Sequence, residues 1–265
     1  MLYRALDMNN ALGCQWKLAE TPLSLSLMTP TLRRLLKVCV YSRLHQILKN
    51  YSGAIGCKFR CSGQTCVCAN RIYVHSSVYA DFASRLAERV SQFKIGNGLE
   101  EGVIIGPLIH SRAAEKVQRH IEDAVAKGAQ ILIGGKKIES TSESFFMPTV
   151  LCDVPSNALL STEETFGPLA ALIKFETEEE VIQMANNTDS GLAGYFYSRD
   201  IGRIWRVAER LEVGMVGVNS PIVGQAVSPF GGIKESGLGR EGGPRGISEF
   251  MNEKLIVFGG IDGKM

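Results

Sequence analysis

The stretch FRCSGQTCVCANRIYVH (59–75) carries three cysteines within eight residues, Cys61, Cys66 and Cys68, and then runs into a strand, RIYVH. That strand opens a regular pattern. SSVYADFASRLAERVSQF (76–93) has helical apolar spacing behind a serine N-cap. HSRAAEKVQRHIEDAVAKG (110–128) is a second helix, closed by Gly128. AQILIGG (129–135) and FFMPTVL (145–151) read as strands, the latter with its proline at an edge or bulge. TEEEVIQMANN (177–187) begins with a capping box, Thr177 with Glu180. GLAGYFYS (191–198) reads as a strand, DIGRIWRVAERL (200–211) as a helix and GMVGVN (214–219) as a buried strand. Strands alternating with helices predict an α/β fold, a mostly parallel sheet with helices on both faces.

Upstream the character changes. Asp and Glu are absent between Glu20 and Asp81, while Arg33, Arg34, Lys37, Arg43, Lys49, Lys58, Arg60 and Arg71 lie in that interval. Leu32, Leu35, Leu36, Cys39, Val40, Ile47 and Leu48 fall on a helical stripe. This segment reads as a basic helix covering a core, as a mitochondrial transit peptide, or as residues foreign to the fold that follows. Residues 1–53 thus read as a basic, acid-poor segment, irregular or helical, and the ordered fold is expected over 54–260.

Composition narrows the function. The chain has 265 residues, 45% of them hydrophobic and 21% charged, which describes a globular protein with ample core. A net charge of +2 gives no reason to expect nucleic acid as a partner. No apolar run approaches a membrane span, and the N-terminal residues do not read as a secretory signal. Seven cysteines at irregular spacing fit a reducing compartment, the cytoplasm or the mitochondrial matrix.

Three chemistries compete for the cysteine cluster. Zinc needs four ligands, usually in two spaced pairs, and no second Cys or His pair follows; no metal is expected. Cys66 and Cys68, one residue apart, could close only a strained, easily reduced disulfide, a reversible redox lock. The third reading is a single nucleophile. Gly63-Gln64-Thr65 gives Cys66 a flexible approach, its backbone N–H could meet an oxyanion, and Arg60 supplies a local positive charge that would favour thiolate.

The cysteine stretch resembles the signature of aldehyde dehydrogenases. Three later stretches match that family in order and spacing: EETFGPLAAL (163–172), GMVGVN (214–219) and PFGGIKESGLGREGG (229–243). The resemblance covers roughly 54–260, and Lys58-Phe59-Arg60, Cys68 and the GLGREG tail look most like the succinate-semialdehyde type. It implies that Cys66 is the catalytic thiol, attacking an aldehyde to form a thiohemiacetal that passes hydride to NAD or NADP. It implies that Glu164 hydrogen-bonds the nicotinamide ribose and that Phe166 packs beside the nicotinamide. Arg60 would bind the far carboxylate of the substrate, Phe230 would stand near the substrate tunnel, and Cys68 would be the partner of a redox-sensitive pair with Cys66. Asn219 is expected to hold a loop through its amide. The final LIVFGG (255–260) would act as a C-terminal strand burying a subunit interface, making a homo-oligomer.

Departures from the pattern shape the expectation as well. The family's general base lies in an ELGG-type motif upstream of the cysteine, and this sequence has none. GxGxxG is also absent, so the cofactor site is incomplete. Cys61 stands where asparagine is usual, and the loop that should supply a substrate-binding serine reads SPIVGQAV (220–227). The sequence is thus read as the catalytic half of such an enzyme, lacking the N-terminal cofactor domain. Oxidation of succinate semialdehyde is the expected activity. The alternatives are a truncated, inactive fragment acting as an interaction module, and residual thiol chemistry at Cys66 and Cys68.

Overall fold

The computed structural model describes residues 38–41, 47–138 and 143–259. Its elements, in chain order, are β1 (Val38–Tyr41), α1 (Ile47–Lys58), β2 (Arg71–His75), α2 (Ser76–Ser91), β3 (Lys94–Ile95), β4 (Val103–Ile105), α3 (Ser111–Ala126) and β5 (Gln130–Ile133). Then come β6 (Thr149–Cys152), α4 (Leu159–Thr162), β7 (Leu169–Phe175), α5 (Glu178–Asn186), β8 (Ser190–Gly191), β9 (Ala193–Tyr197), α6 (Ile201–Arg210), β10 (Met215–Val218) and β11 (Ile233–Lys234). Among the described residues, seven strands form one sheet in the order β10-β9-β1-β2-β7-β6-β5, parallel throughout except for β5 on β6. This is the α/β architecture expected from the alternating pattern.

The pleat shows why both faces are covered. Successive side chains point to opposite sides of a strand. On β2, Ile72 and Val74 join a core with Phe82 and Leu86 of α2 and Cys57 of α1, while Tyr73 joins the opposite core. That second core takes Leu169, Ala171 and Ile173 of β7, Val117 and Ile121 of α3, Val181 of α5 and Val207 of α6. A parallel strand buried on both sides needs apolar residues at every position, and β6 and β9 are buried along their whole length.

Most local signals hold. The Thr177–Glu180 capping box forms, with both reciprocal bonds present. Gly128 adopts φ 109° behind α3, its N–H donating to Val125 O and that of Ala129 to Ala124 O, a Schellman closure. One helix start differs from expectation, since the cap of α2 is a histidine ring rather than a serine, and α3 is capped in the same way. His75 Nδ1 accepts from Ser77 N at 3.2 Å and His110 Nδ1 from Ala113 N at 3.0 Å. The basic segment also departs from the helical reading. Val38–Tyr41 is a central strand between β2 and β9, as its β-branched residues favour. The boundary drawn at 53/54 falls inside α1. Leu32, Leu35 and Leu36 of the proposed stripe lie outside the described residues. No helix among the described residues is long and apolar enough to cross a membrane.

The topology brings distant sequence together. Because β2 and β7 are parallel neighbours, the segments entering them, 59–70 and 159–168, lie side by side at one end of the sheet. After β10, the chain passes Pro221 over Gly56 of α1 and returns to that end, where β11 pairs antiparallel with β8.

Candidate active site

The cysteine loop begins where α1 ends. Cys61, Ser62 and Gly63 form a left-handed turn with φ of 49°, 57° and 75°. Non-glycine residues pay about 1–2 kcal/mol each for that backbone, so neighbours must impose it. Ser62 Oγ donates to Gly106 O at 3.0 Å and accepts from Gly106 N at 3.1 Å. Gln64 Oε1 accepts from Ile109 N at 2.9 Å. Gly63 presses directly on the Gly167 carbonyl; a Cβ there would stand 2.0 Å from the oxygen. Beyond the turn, the Tyr195 hydroxyl donates to Val67 O at 2.9 Å. Cys66 is half-buried, packed at the margin of the core shared by α1 and α2. Cys68 is buried, its Sγ donating to Arg60 O at 3.6 Å. Cys57, Cys61, Cys66, Cys68 and Cys152 are all thiols, with no bridge among them.

The facing loop carries Glu163, Glu164, Thr165 and Phe166. Glu164 is half-buried, and the Phe166 ring stands 38% exposed on a left-handed backbone, φ 51°. Two buried side chains that the sequence did not single out fix this loop. The amide of Asn70 donates to Leu160 O at 2.5 Å and Glu163 O at 3.2 Å, and its Oδ1 accepts from Thr165 N at 2.9 Å. His120 of α3, with no exposed surface, meets Thr165 Oγ1 at 3.0 Å and the Glu163 carboxylate at 3.3 Å, and Arg119 joins that carboxylate at 3.0 Å. Burial lowers the His120 pKa below its ordinary value, against the opposing pull of Glu163. A neutral ring suits both bonds, Nδ1 accepting from the threonine and Nε2–H donating to the carboxylate. One local signal could have found it: His120 adjoins the Ala114, Val117, Ile121 and Ala124 stripe of α3.

The remaining candidates surround these loops. Arg60 begins the left-handed turn, partly exposed, and pairs with no carboxylate among the described residues. Phe230 packs, partly buried, on the same core as Cys66, and its backbone exchanges two 2.7 Å bonds with Glu241. Asn219, at φ 54°, clasps the backbone of Ser198, accepting from its N–H at 3.0 Å and donating to its carbonyl at 2.8 Å. Gln225, where a serine was sought, is exposed. Among the described residues, no cluster of three or more His, Cys, Asp or Glu could hold a metal. A cavity of about 160 Å³ lies at the opposite end of the sheet, lined by His75, Glu176, Ser198 and Arg203.

Comparison with known proteins places the chain in a family. Residues 45–256 match the model of the aldehyde dehydrogenase family. The chain is 58% identical over 208 residues to a glutarate-semialdehyde dehydrogenase of Pseudomonas putida, covering 78% of this chain and 43% of that protein. It is 56% identical over 203 residues to the NADP(+) succinate-semialdehyde dehydrogenase 1 of Schizosaccharomyces pombe, covering 77% and 41%. The crystal structure of succinate-semialdehyde dehydrogenase from Burkholderia pseudomallei superposes with a TM-score of 0.79 at 50% identity, covering 81% of this chain and 44% of that one. The chain thus spans less than half the length of these relatives. With the family model matched over 45–256 and more than three quarters of its length aligned to a relative at 58% identity, the chain belongs to the aldehyde dehydrogenase family.

Proposed function

We propose that the chain carries the thiol-bearing part of an NAD(P)-dependent aldehyde oxidation, with Cys66 as nucleophile and succinate semialdehyde as the first substrate to try. The observation that supports this most is the junction of the two loops, where Gly63, three residues before Cys66, packs on Gly167, next to Phe166. The Cys66 thiolate attacks the carbonyl carbon, and an S–C bond forms as the π pair moves to oxygen. The hydride lost from that carbon would pass to a nicotinamide dinucleotide held beside Glu164 and Phe166. Water then adds to the resulting thioester and loses its protons to solvent, since the sequence offers no general-base motif to take them; the S–C bond breaks, and the acid leaves as the thiolate is restored.

The other residues bind and shield. The Arg60 guanidinium, unpaired with any described carboxylate, suits a distal acid group, and the substrates named for the two relatives above both carry one. Phe230 lines the apolar approach. The Glu164 carboxylate and the exposed Phe166 ring fit the nicotinamide-ribose end of the cofactor, one accepting hydroxyls and the other excluding water. No glycine-rich strand–turn–helix in the sequence is available for the pyrophosphate, and nothing in these two loops discriminates NAD from NADP.

Partner contacts are proposed for the C-terminal segment, where Leu255, Val257 and Phe258 are 88%, 82% and 75% exposed. This observation also favours the second reading, an interaction module without turnover. Reduced-cofactor absorbance separates the two. The first reading expects it to rise with succinate semialdehyde and to vanish in Cys66→Ala. The second expects no rise, with association detected by sedimentation.

A further inference from the structure

We propose that His120 and Asn70 form a buried clamp on Thr165 that positions Phe166 and Glu164 for the cofactor. The inference deepens the proposed function and rests on it. Thr165 is held at two atoms from two elements: its N–H by Asn70 Oδ1, its hydroxyl by His120 Nδ1. All three residues are buried. Phe166 follows in a left-handed conformation that a phenylalanine does not choose alone, with its ring turned outward. Gly167 is then wedged between Val117 of α3 and Gly63 of the cysteine loop; a Cβ on it would stand 2.4 Å from Val117 Cγ2. With the residue before fixed at two atoms and the residue after held on two sides, the backbone of Phe166 has little freedom. Glu164 is bracketed too, since Asn70 and His120 also grip the backbone carbonyl and carboxylate of Glu163.

The ring is therefore the clamp's adjustable member. The charged groups around it are Glu163 on the loop and Lys116, Arg119 and Asp123 on its own helix. Neutral His120 accepts the Thr165 hydroxyl proton at Nδ1; a proton there reverses that bond, turns the hydroxyl and leaves a charged ring in a buried site. Because the native ring titrates below its ordinary value, the native state binds fewer protons than the unfolded chain in that interval. The clamp is whole above an ordinary histidine pKa of about 6.5 and loosens as pH falls through the lowered native value.

The test compares wild type, His120→Gln and His120→Ala by amide NMR of the full chain. In wild type, the Phe166 and Gly167 signals should move with pH, with a midpoint below about 6.5. In His120→Gln they should stay near their high-pH positions. In His120→Ala, hydrogen exchange at residues 165–167 should accelerate by an order of magnitude or more, while β2 and β7 keep their protection. NADP⁺ should perturb the Glu164 signal in wild type and His120→Gln and do so more weakly in His120→Ala. Signals at 166 and 167 that ignore both pH and substitution overturn the clamp, as does equal loss of protection in β2 and β7. Identical NADP⁺ responses in wild type and His120→Ala overturn the positioning role alone. No NADP⁺ response in wild type, with the loop still following His120, overturns the cofactor reading and the positioning role with it.

Discussion

The two loops at the entry end of the sheet and the C-terminal segment solve opposite problems. At the loops every awkward feature is answered from inside the chain. Three consecutive left-handed residues are braced by Ser62 on Gly106, by Gln64 on Ile109 and by Gly63 on Gly167, and the facing loop is tied by Asn70 and His120. In the C-terminal segment, Phe250, Leu255, Val257 and Phe258 are 75–88% exposed. Apolar surface of that extent is the ground for the partner contact proposed above. The lesson is a division of labour. The chain braces its cysteine loop from within, while its C-terminal segment leaves large apolar side chains exposed.

Substitutions can break this contrast. The largest effect is expected for Gly63→Ala, which adds a Cβ 2.0 Å from a carbonyl oxygen at a residue with φ 75°. About 3 kcal/mol or more should be lost in denaturant unfolding, from overpacking and backbone strain together. Asn70→Ala comes next. It strands Thr165 N–H and two carbonyls in a buried site, for about 2–3 kcal/mol by the same measurement. A loss under about 0.5 kcal/mol in either variant would mean the loops are not sealed as described.

Smaller effects sharpen the contrast. Cys61 holds a left-handed backbone that asparagine tolerates better, so Cys61→Asn should gain about 0.5–1 kcal/mol in thermal unfolding. The paired change Leu255→Asp and Phe258→Asp should leave intrachain stability within about 0.5 kcal/mol of wild type while lowering any self-association seen by sedimentation. If that pair unfolds the chain, the tail belongs to the core after all.

The fold was legible where the signal is local. RIYVH, the Thr177–Glu180 box and the Gly128 closure each lie within a few neighbouring residues. Val38–Tyr41 was missed because a basic, leucine-rich neighbourhood carries helical period, while pairing with β2 and β9 decides its state. At the site, the cysteine loop and the EETF loop were legible as motifs. What joins them was not, because Asn70 reaches 95 residues to Thr165 and His120 reaches 45, separations at which periodicity carries no information. Asn219 shows the favourable case: an asparagine ending a strand beside a loop is expected to clasp backbone, and it clasps Ser198.

The central claim is that Cys66, on this internally braced loop, captures an aldehyde carbonyl. Hemithioacetal formation needs only the sulfur and its surroundings, so it can be read on the chain alone. Succinate semialdehyde isotopically labelled at its carbonyl carbon should give a saturable sulfur-bound tetrahedral carbon signal with wild type, and none with Cys66→Ala. A signal that persists in Cys66→Ala, or none with wild type at any substrate concentration, would contradict the account.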